Sequence, residues 1–332
     1  MPSTSSTSPF SSIVSIFKST PEALRIYWVL ARIMVPITIA GEFLIRIGAI
    51  EAIAPAFAPI MGIVGLPPEL GLAWLTAMLV SMWAAVPLLF TLVPISSLSV
   101  ADVTIFSALI LFAHGLPIEQ KIIQEAGPKF AITTLLRIAG GLIYAIILHQ
   151  IFTNTGWFAS PVDPIWIPMA ATSEWSDFFI SLFETMVWML VILVGLFWML
   201  ELLKVSGLLD MIMVLLSPIL RLAGVKDEAA YLTSVGLFLG ISYGAGLLIR
   251  EAKSKKVSPK QIFLSCVFMG FAHSVIEDTL FVMALGADVY SVLIGRVIFA
   301  IIATAAIAAL IKRISDEAFY SHAFSLKAIE RK

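Results

Sequence analysis

Slid along itself by 159 residues without a gap, this sequence lays residues 42–137 over residues 201–296, and sixteen of those 96 positions are identical. Shared Leu and Ile say little, because 60% of the chain is hydrophobic. The rarer residues carry the signal: Glu42/Glu201, Gly48/Gly207, Pro59/Pro218, Gly65/Gly224, Glu69/Glu228, His114/His273, Gly127/Gly286 and Arg137/Arg296. Phe112, Ala113 and His114 recur as Phe271, Ala272 and His273, in a chain with only four histidines. Such a repeat commits the chain to two copies of one helical unit packed against each other.

Composition places those copies in lipid. Charged residues make up 13% of the chain and mean hydropathy is +1.00, whereas soluble domains carry about 25% charge. Several apolar runs approach the roughly 20 residues a spanning helix needs. Lipid has no water to satisfy backbone groups, so these runs must be helical. Five segments are expected in the first copy, at 25–48, 49–66, 70–93, 102–114 and 130–152. Five more are expected in the second, at 180–206, 208–224, 229–250, 260–273 and 288–312. The expected fold is therefore an all-α integral membrane protein of two inverted-topology repeats. Pro87, the Gly244, Ala245 and Gly246 run, and the bend from Gly115 to Pro117 suggest broken or re-entrant helices. Segments 49–66 and 208–224 are short enough either to cross or to re-enter.

The layout follows: an N-terminal tail at 1–24, rich in Ser, Thr and Pro and expected to be disordered; repeat one at 25–152; a linker at 153–179; repeat two at 180–312; and a tail at 313–332. The tail at the start lacks the pattern of a signal peptide, so insertion is expected through the first spanning helix. No Lys or Arg occurs between Arg137 and Lys204, while basic residues flank both ends of the chain. The positive-inside rule then puts both termini in the cytoplasm and the linker outside. Loop 250–260 holds Arg250, Lys253, Lys255, Lys256 and Lys260, and the equivalent loop 91–101 holds no basic residue. Opposite orientation of the copies produces that contrast.

Ionisable residues inside a membrane are costly and tend to serve function. The first candidates are His114 with Glu119, and His273 with Glu277 and Asp278. Glu119 and Asp278 align, each five residues after its histidine, and Glu277 falls at the fourth, on the histidine's face if a helix continues there. Such a set binds a proton, a metal ion or an organic cation, and His273, Glu277 and Asp278 are the ligands if a metal is held. Arg137 and Arg296 fit either an ion pair with Glu119 or Asp278 or a clamp on an anion. Glu42 and Glu201 fit pairing with backbone amides or a cation site. Ser242, Tyr243 and Gly244 begin a run suited to close packing or to an unwound stretch lining a solute site. Glu69 and Glu228 complement helix N-termini. The single cysteine, Cys266, excludes an internal disulfide and any multi-cysteine metal site. No hydrolase, nucleotide-binding or dinucleotide motif occurs, so neither enzymatic activity nor a cofactor is expected.

The stretch from Phe271 to Leu280, then Leu285, Gly286, Ala287 and Arg296, resembles the nucleoside recognition, or Gate-domain, membrane proteins that include the YjiH-like group. Gly224 to Glu228 and Tyr243 to Gly246 look similar as well, and the resemblance runs from about residue 25 to 312 as two Gate units. It implies a multi-pass protein of the bacterial cytoplasmic (inner) membrane. Its partners would be the bilayer and a small-molecule or ion substrate, not nucleic acid, with a homo-oligomer allowed. The expected function is secondary transport of a small polar, cationic or proton-coupled solute, such as a nucleoside, a divalent metal or an amine. Glu42, Glu201, Glu119, Glu277 and Asp278 outnumber Arg137 and Arg296, which favours a cation. A non-transporting assembly protein of a larger complex is the second reading, and an intramembrane hydrolase using His273 and Glu277 the third. Gly115, Pro117 and Gln120 depart from the motif, so the site is expected to be dominated by the second copy. Thiol labelling tests the orientation. A cysteine placed in loop 250–260 should react with an impermeant reagent only from the cytoplasmic side, and one in linker 153–178 only from outside. Reaction of both from one side would overturn the layout.

Overall fold

Backbone groups in a bilayer must find partners within the chain, and the computed structural model, which describes residues 20–164, 174–254 and 256–326, meets that demand with helices. The helices are α1 (Thr20–Arg46), α2 (Ala49–Ile53), α3 (Ala58–Ile63), α4 (Leu70–Leu79), α5 (Met82–Leu92), α6 (Val100–Phe112), α7 (Leu116–Glu125), α8 (Phe130–Thr155), α9 (Trp175–Val205), α10 (Leu208–Leu222), α11 (Asp227–Ser254), α12 (Pro259–Phe271), α13 (Glu277–Ala284), α14 (Arg296–Ile311) and α15 (Asp316–His322). A 3-10 turn joins α2 to α3, and a π-helical stretch, Tyr290–Gly295, leads into α14. Among the described residues the only extended pairing is two isolated bridges, Ser99 with Pro161 and Pro128 with Phe324. The chain is thus an all-α membrane protein. Among the described residues, the stretches long and apolar enough to cross are Val100–Glu125, Phe130–Thr155, Trp175–Met199 and Tyr290–Ile311. The first of these is not one continuous helix, because the chain turns at Gly115 between α6 and α7. The N-terminal tail up to residue 19, the middle of the linker at 165–173, Lys255 and the tail from 327 lie outside the described residues.

The elements match the expected segments closely, but the interruptions of the third segment lie elsewhere. Pro87 is inside α5, where Thr91 Oγ1 donates to its carbonyl. Gly244 is inside α11 and buried. The break in repeat one falls at Val80 and Ser81, and the break in repeat two at Gly240. Ser81 and Gly240 are equivalent under the 159-residue shift. The reason is conformational. Proline's fixed φ is helical and removes one donor, and Gly244 also takes a helical φ, whereas Gly240 adopts φ 83°, ψ 170°, a region open essentially to glycine. Ser81 ends its break as an N-cap, its hydroxyl accepting from Ala84 N at 3.2 Å.

The fourth segments break in parallel too. α6 and α12 end two residues before His114 and His273. The chain then turns through left-handed residues at equivalent positions, Gly115 (φ 56°) and Ser274 (φ 45°). Helix therefore does not continue from His273 to Glu277, and the expected shared helical face is absent: Glu277 opens the new helix α13. At the core α12 packs on both α6 and α8, while α6 packs on α8 and α12 on α14. Hydrogen bonds join the copies. Tyr144 Oη donates to Ser291 O at 2.6 Å in the π stretch, and Asp288 N donates to Thr104 Oγ1 at 2.9 Å.

Gly240→Ala is expected to be destabilising, since a Cβ there meets the Ser274 hydroxyl and the backbone region costs on the order of 1–3 kcal/mol for other residues. A lower thermal midpoint in detergent checks this, and an unchanged midpoint would contradict it.

Candidate functional site

The two histidines that the repeat aligns meet through their inner ring nitrogens. His114 and His273 are buried, their ring centroids 4.9 Å apart, and their Nε2 atoms approach to 3.3 Å. Each Nδ1 is tied to the last turn of its own helix: His114 to Ile110 O at 2.8 Å, His273 to Met269 O at 2.9 Å. A carbonyl only accepts, so each Nδ1 carries a hydrogen, and a neutral ring then presents its Nε2 as an acceptor. Glu119 Oε1 points at the same spot, 3.7 Å from His114 Nε2 and 3.4 Å from His273 Nε2. These three acceptor atoms lie within 4.8 Å of one another. With neutral rings no hydrogen lies between them, so the arrangement calls for a cation or a hydrogen-bond donor among them.

Two buried arginines frame this point. Arg137 donates through Nε to Phe112 O at 2.7 Å, through Nη2 to His114 O at 3.2 Å, and through Nη1 to Glu119 Oε2. Its partner in repeat two copies the backbone bonds. Arg296 Nε donates to Phe271 O at 2.9 Å and Nη2 to His273 O at 3.2 Å. The ion pair is not copied. Asp278 Oδ2 and Arg296 Nη1 are buried without a hydrogen-bond partner, and Arg296 instead reaches across to Leu111 O at 2.9 Å. Aspartate is one methylene shorter than the glutamate it aligns with, which removes reach. The ion pair expected of the arginines therefore forms in repeat one alone.

A cavity of about 210 Å3 opens beside the triad, lined by residues of both copies: Ser81, Met82 and Trp83; His114 and Glu119; Leu193; Leu239 to Ser242; and Ser274, Glu277 and Asp278. All four chain breaks border it. The structure thus gathers His114, Glu119, Glu277, Asp278 and Ser242 around one space, with His273 against its edge. Glu42 and Glu201 are not among its lining residues. Glu42 is buried and accepts from Arg46 Nε at 2.7 Å, one turn along α1, rather than from backbone amides. Gly244 is buried away from the cavity, and the side chain of Tyr243 lies outside the described residues. Glu228 Oε1 accepts from Ser258 Oγ at 2.8 Å, so it ties two helix starts together.

The metal-type cluster also differs from the expected trio. It is His114, Glu119 and His273, drawn from both copies, not His273, Glu277 and Asp278. Consequently the first copy supplies the carboxylate at the centre, contrary to a site dominated by the second. Sequence reasoning missed Ser81, Trp83 and Gly240. The 159-residue shift pairs Ser81 with Gly240, a glycine in an apolar run, and that signal was available. The ring of Trp83 lies 4.1 Å from that of Phe281.

Residues 186–288 match the family model Gate, described as nucleoside recognition. The chain is thus a helical membrane protein in which residues 186–288 are similar to that family. His273, Glu277, Asp278 and Ser242 fall inside the match, whereas His114, Glu119 and Arg137 lie before it. Over 285 residues, 85% of this chain and 90% of the relative, it is 26% identical to the uncharacterized membrane protein YvoD of Bacillus subtilis strain 168. No solved structure gives a significant match.

Removing one member of a buried ion pair leaves the other charge uncompensated, at a cost of about 3–5 kcal/mol. Arg137→Gln should lower the unfolding midpoint accordingly, and Glu119→Gln with Arg137→Gln should recover part of the loss. Equal midpoints for Arg137→Gln and wild type would show that the pair is not structural.

Proposed function

We propose that this chain is a secondary transporter moving a small polar solute, cationic or proton-coupled, through the cavity between its two copies. The observation that carries the reading is the meeting of three acceptors, His114 Nε2, His273 Nε2 and Glu119 Oε1, beside a cavity bordered by every chain break. Acceptors gathered without a donor favour a positive charge among them. Broken helices at membrane depth supply polar backbone to a solute while neighbouring helices shield them from lipid. On this reading the copies are inverted, and rocking of one against the other exposes the site alternately to each side. The termini are then cytoplasmic and the membrane is the bacterial inner membrane. Nucleosides, divalent metals and amines are the solute classes to compare. The Gate match supports recognition of a small solute without choosing among them. The hydrolase reading pairs His273 with Glu277, whereas His273 Nε2 faces Glu119 and His114.

Flux into proteoliposomes tests the proposal. Wild type should move one of these classes, and Glu119→Gln and Asp278→Asn should each lower the rate at least tenfold, while Lys121→Gln, at an exposed site, leaves it unchanged. Wild type inert towards all three classes, or both carboxyl variants as fast as wild type, would sink it.

A further inference from the structure

We propose that His114, Glu119 and His273 form a binding site for a divalent first-row transition-metal ion, which on the transport reading above is the carried ion. The argument starts from distances. Metal–nitrogen and metal–oxygen bonds of about 2.0–2.2 Å, set at tetrahedral angles, hold donor atoms about 3.3–3.6 Å apart. The three edges of this triangle are 3.3, 3.4 and 3.7 Å. Two imidazoles and one carboxylate on one face of an ion are a donor set that suits zinc, iron and their neighbours, and it leaves the remaining positions open.

The surroundings are those of prepared ligands. Each imidazole has its Nδ1 hydrogen fixed on a backbone carbonyl, which selects the tautomer with a free Nε2. Glu119 is held by Arg137 through Oε2, so Oε1 alone is left for an ion. An independent observation points the same way. Asp278 is buried, lines the same cavity, and its Oδ2 has no hydrogen-bond partner. With Glu277, Ser81 and Ser274 it lines the space beside the triad and offers oxygen to waters held on the ion's open positions. Magnesium and calcium prefer all-oxygen shells, so two nitrogens at the centre disfavour them. No thiol is present, since Cys266, the single cysteine, is buried and outside the cavity lining, which disfavours monovalent copper.

The decisive measurement is binding by the full chain, purified in detergent and stripped with a chelator. Titration with zinc by calorimetry, and with cobalt by visible absorption, should give one ion per chain with the spectrum of a nitrogen- and oxygen-ligated centre. Glu119→Gln and His273→Gln should each weaken binding at least 100-fold. Zinc should raise the thermal midpoint of wild type and not that of either variant. Where a variant does not fold, His114→Gln and the X-ray absorption spectrum of the wild-type zinc form, with two imidazoles in the shell, replace it. Absence of saturable binding, binding unchanged in the folded variants, or magnesium binding equal to zinc would overturn the site. The two proposals fail separately. Zinc bound at the triad without flux of any solute removes the transport reading alone. PH-dependent flux of another solute, with zinc not bound, removes the metal site and leaves a proton between the histidines.

Discussion

The arrangement depends on two buried guanidinium groups that complete interrupted helices. A helix ending at membrane depth leaves its last carbonyls without donors, at a cost of several kcal/mol for each unsatisfied group. Arg137 and Arg296, each 23 residues beyond its histidine, lean back from the fifth segment and donate to the carbonyls of Phe112 and His114, and of Phe271 and His273. Arginine suits the task, because its planar fork offers five donors in fixed directions and stays charged. With the carbonyls satisfied, the chain can turn after each histidine and direct the imidazole inward. Arg296 also reaches Leu111 O, so one of these groups fastens the copies together.

The chemistry of the site follows from that frame. The turns at Gly115 and Ser274 bring two helix ends together tip to tip, and the imidazoles at those tips meet at 3.3 Å. Each ring's outer nitrogen is occupied by its own helix, so only the inner nitrogens are available. Departure from symmetry then decides which carboxyl group joins them. Glu119 reaches Arg137 and both rings, while Asp278, one methylene shorter, stays unpaired on the cavity wall. A symmetric frame thus holds an asymmetric set of ionisable groups, one carboxylate paired with its arginine and a second with an unpartnered oxygen.

Much of this was legible in the order of residues. The 159-residue shift found the paired histidines and arginines, and lipid's lack of hydrogen-bond partners made every apolar segment a helix, with bounds close to those observed. The breaks were less legible. Proline and a glycine pair drew attention to positions 87 and 244–246, yet these remain helical because their backbone can stay in the helical region. Gly240 leaves the helical region, and Ser274 packs where a side chain at this position would be, a contact between segments that local sequence does not display. Glu42 was a reasonable ligand by rarity and by its match to Glu201, but Arg46, one turn away, takes its charge.

By itself the sequence determined a helical membrane protein with a repeated unit, and it named the ionisable residues of its interior. These conclusions rest on periodicity, hydropathy and the cost of charge in lipid, all of which act along the chain. Only the tertiary structure decided that His114 and His273 touch, that Glu119 rather than Glu277 or Asp278 completes their cluster, and that Arg296 binds carbonyls instead of a carboxylate. Those outcomes turn on how segments far apart in sequence approach one another, and on whether a side chain is one methylene longer or shorter. Residue order records which groups are available, whereas packing of the two copies fixes which of them meet.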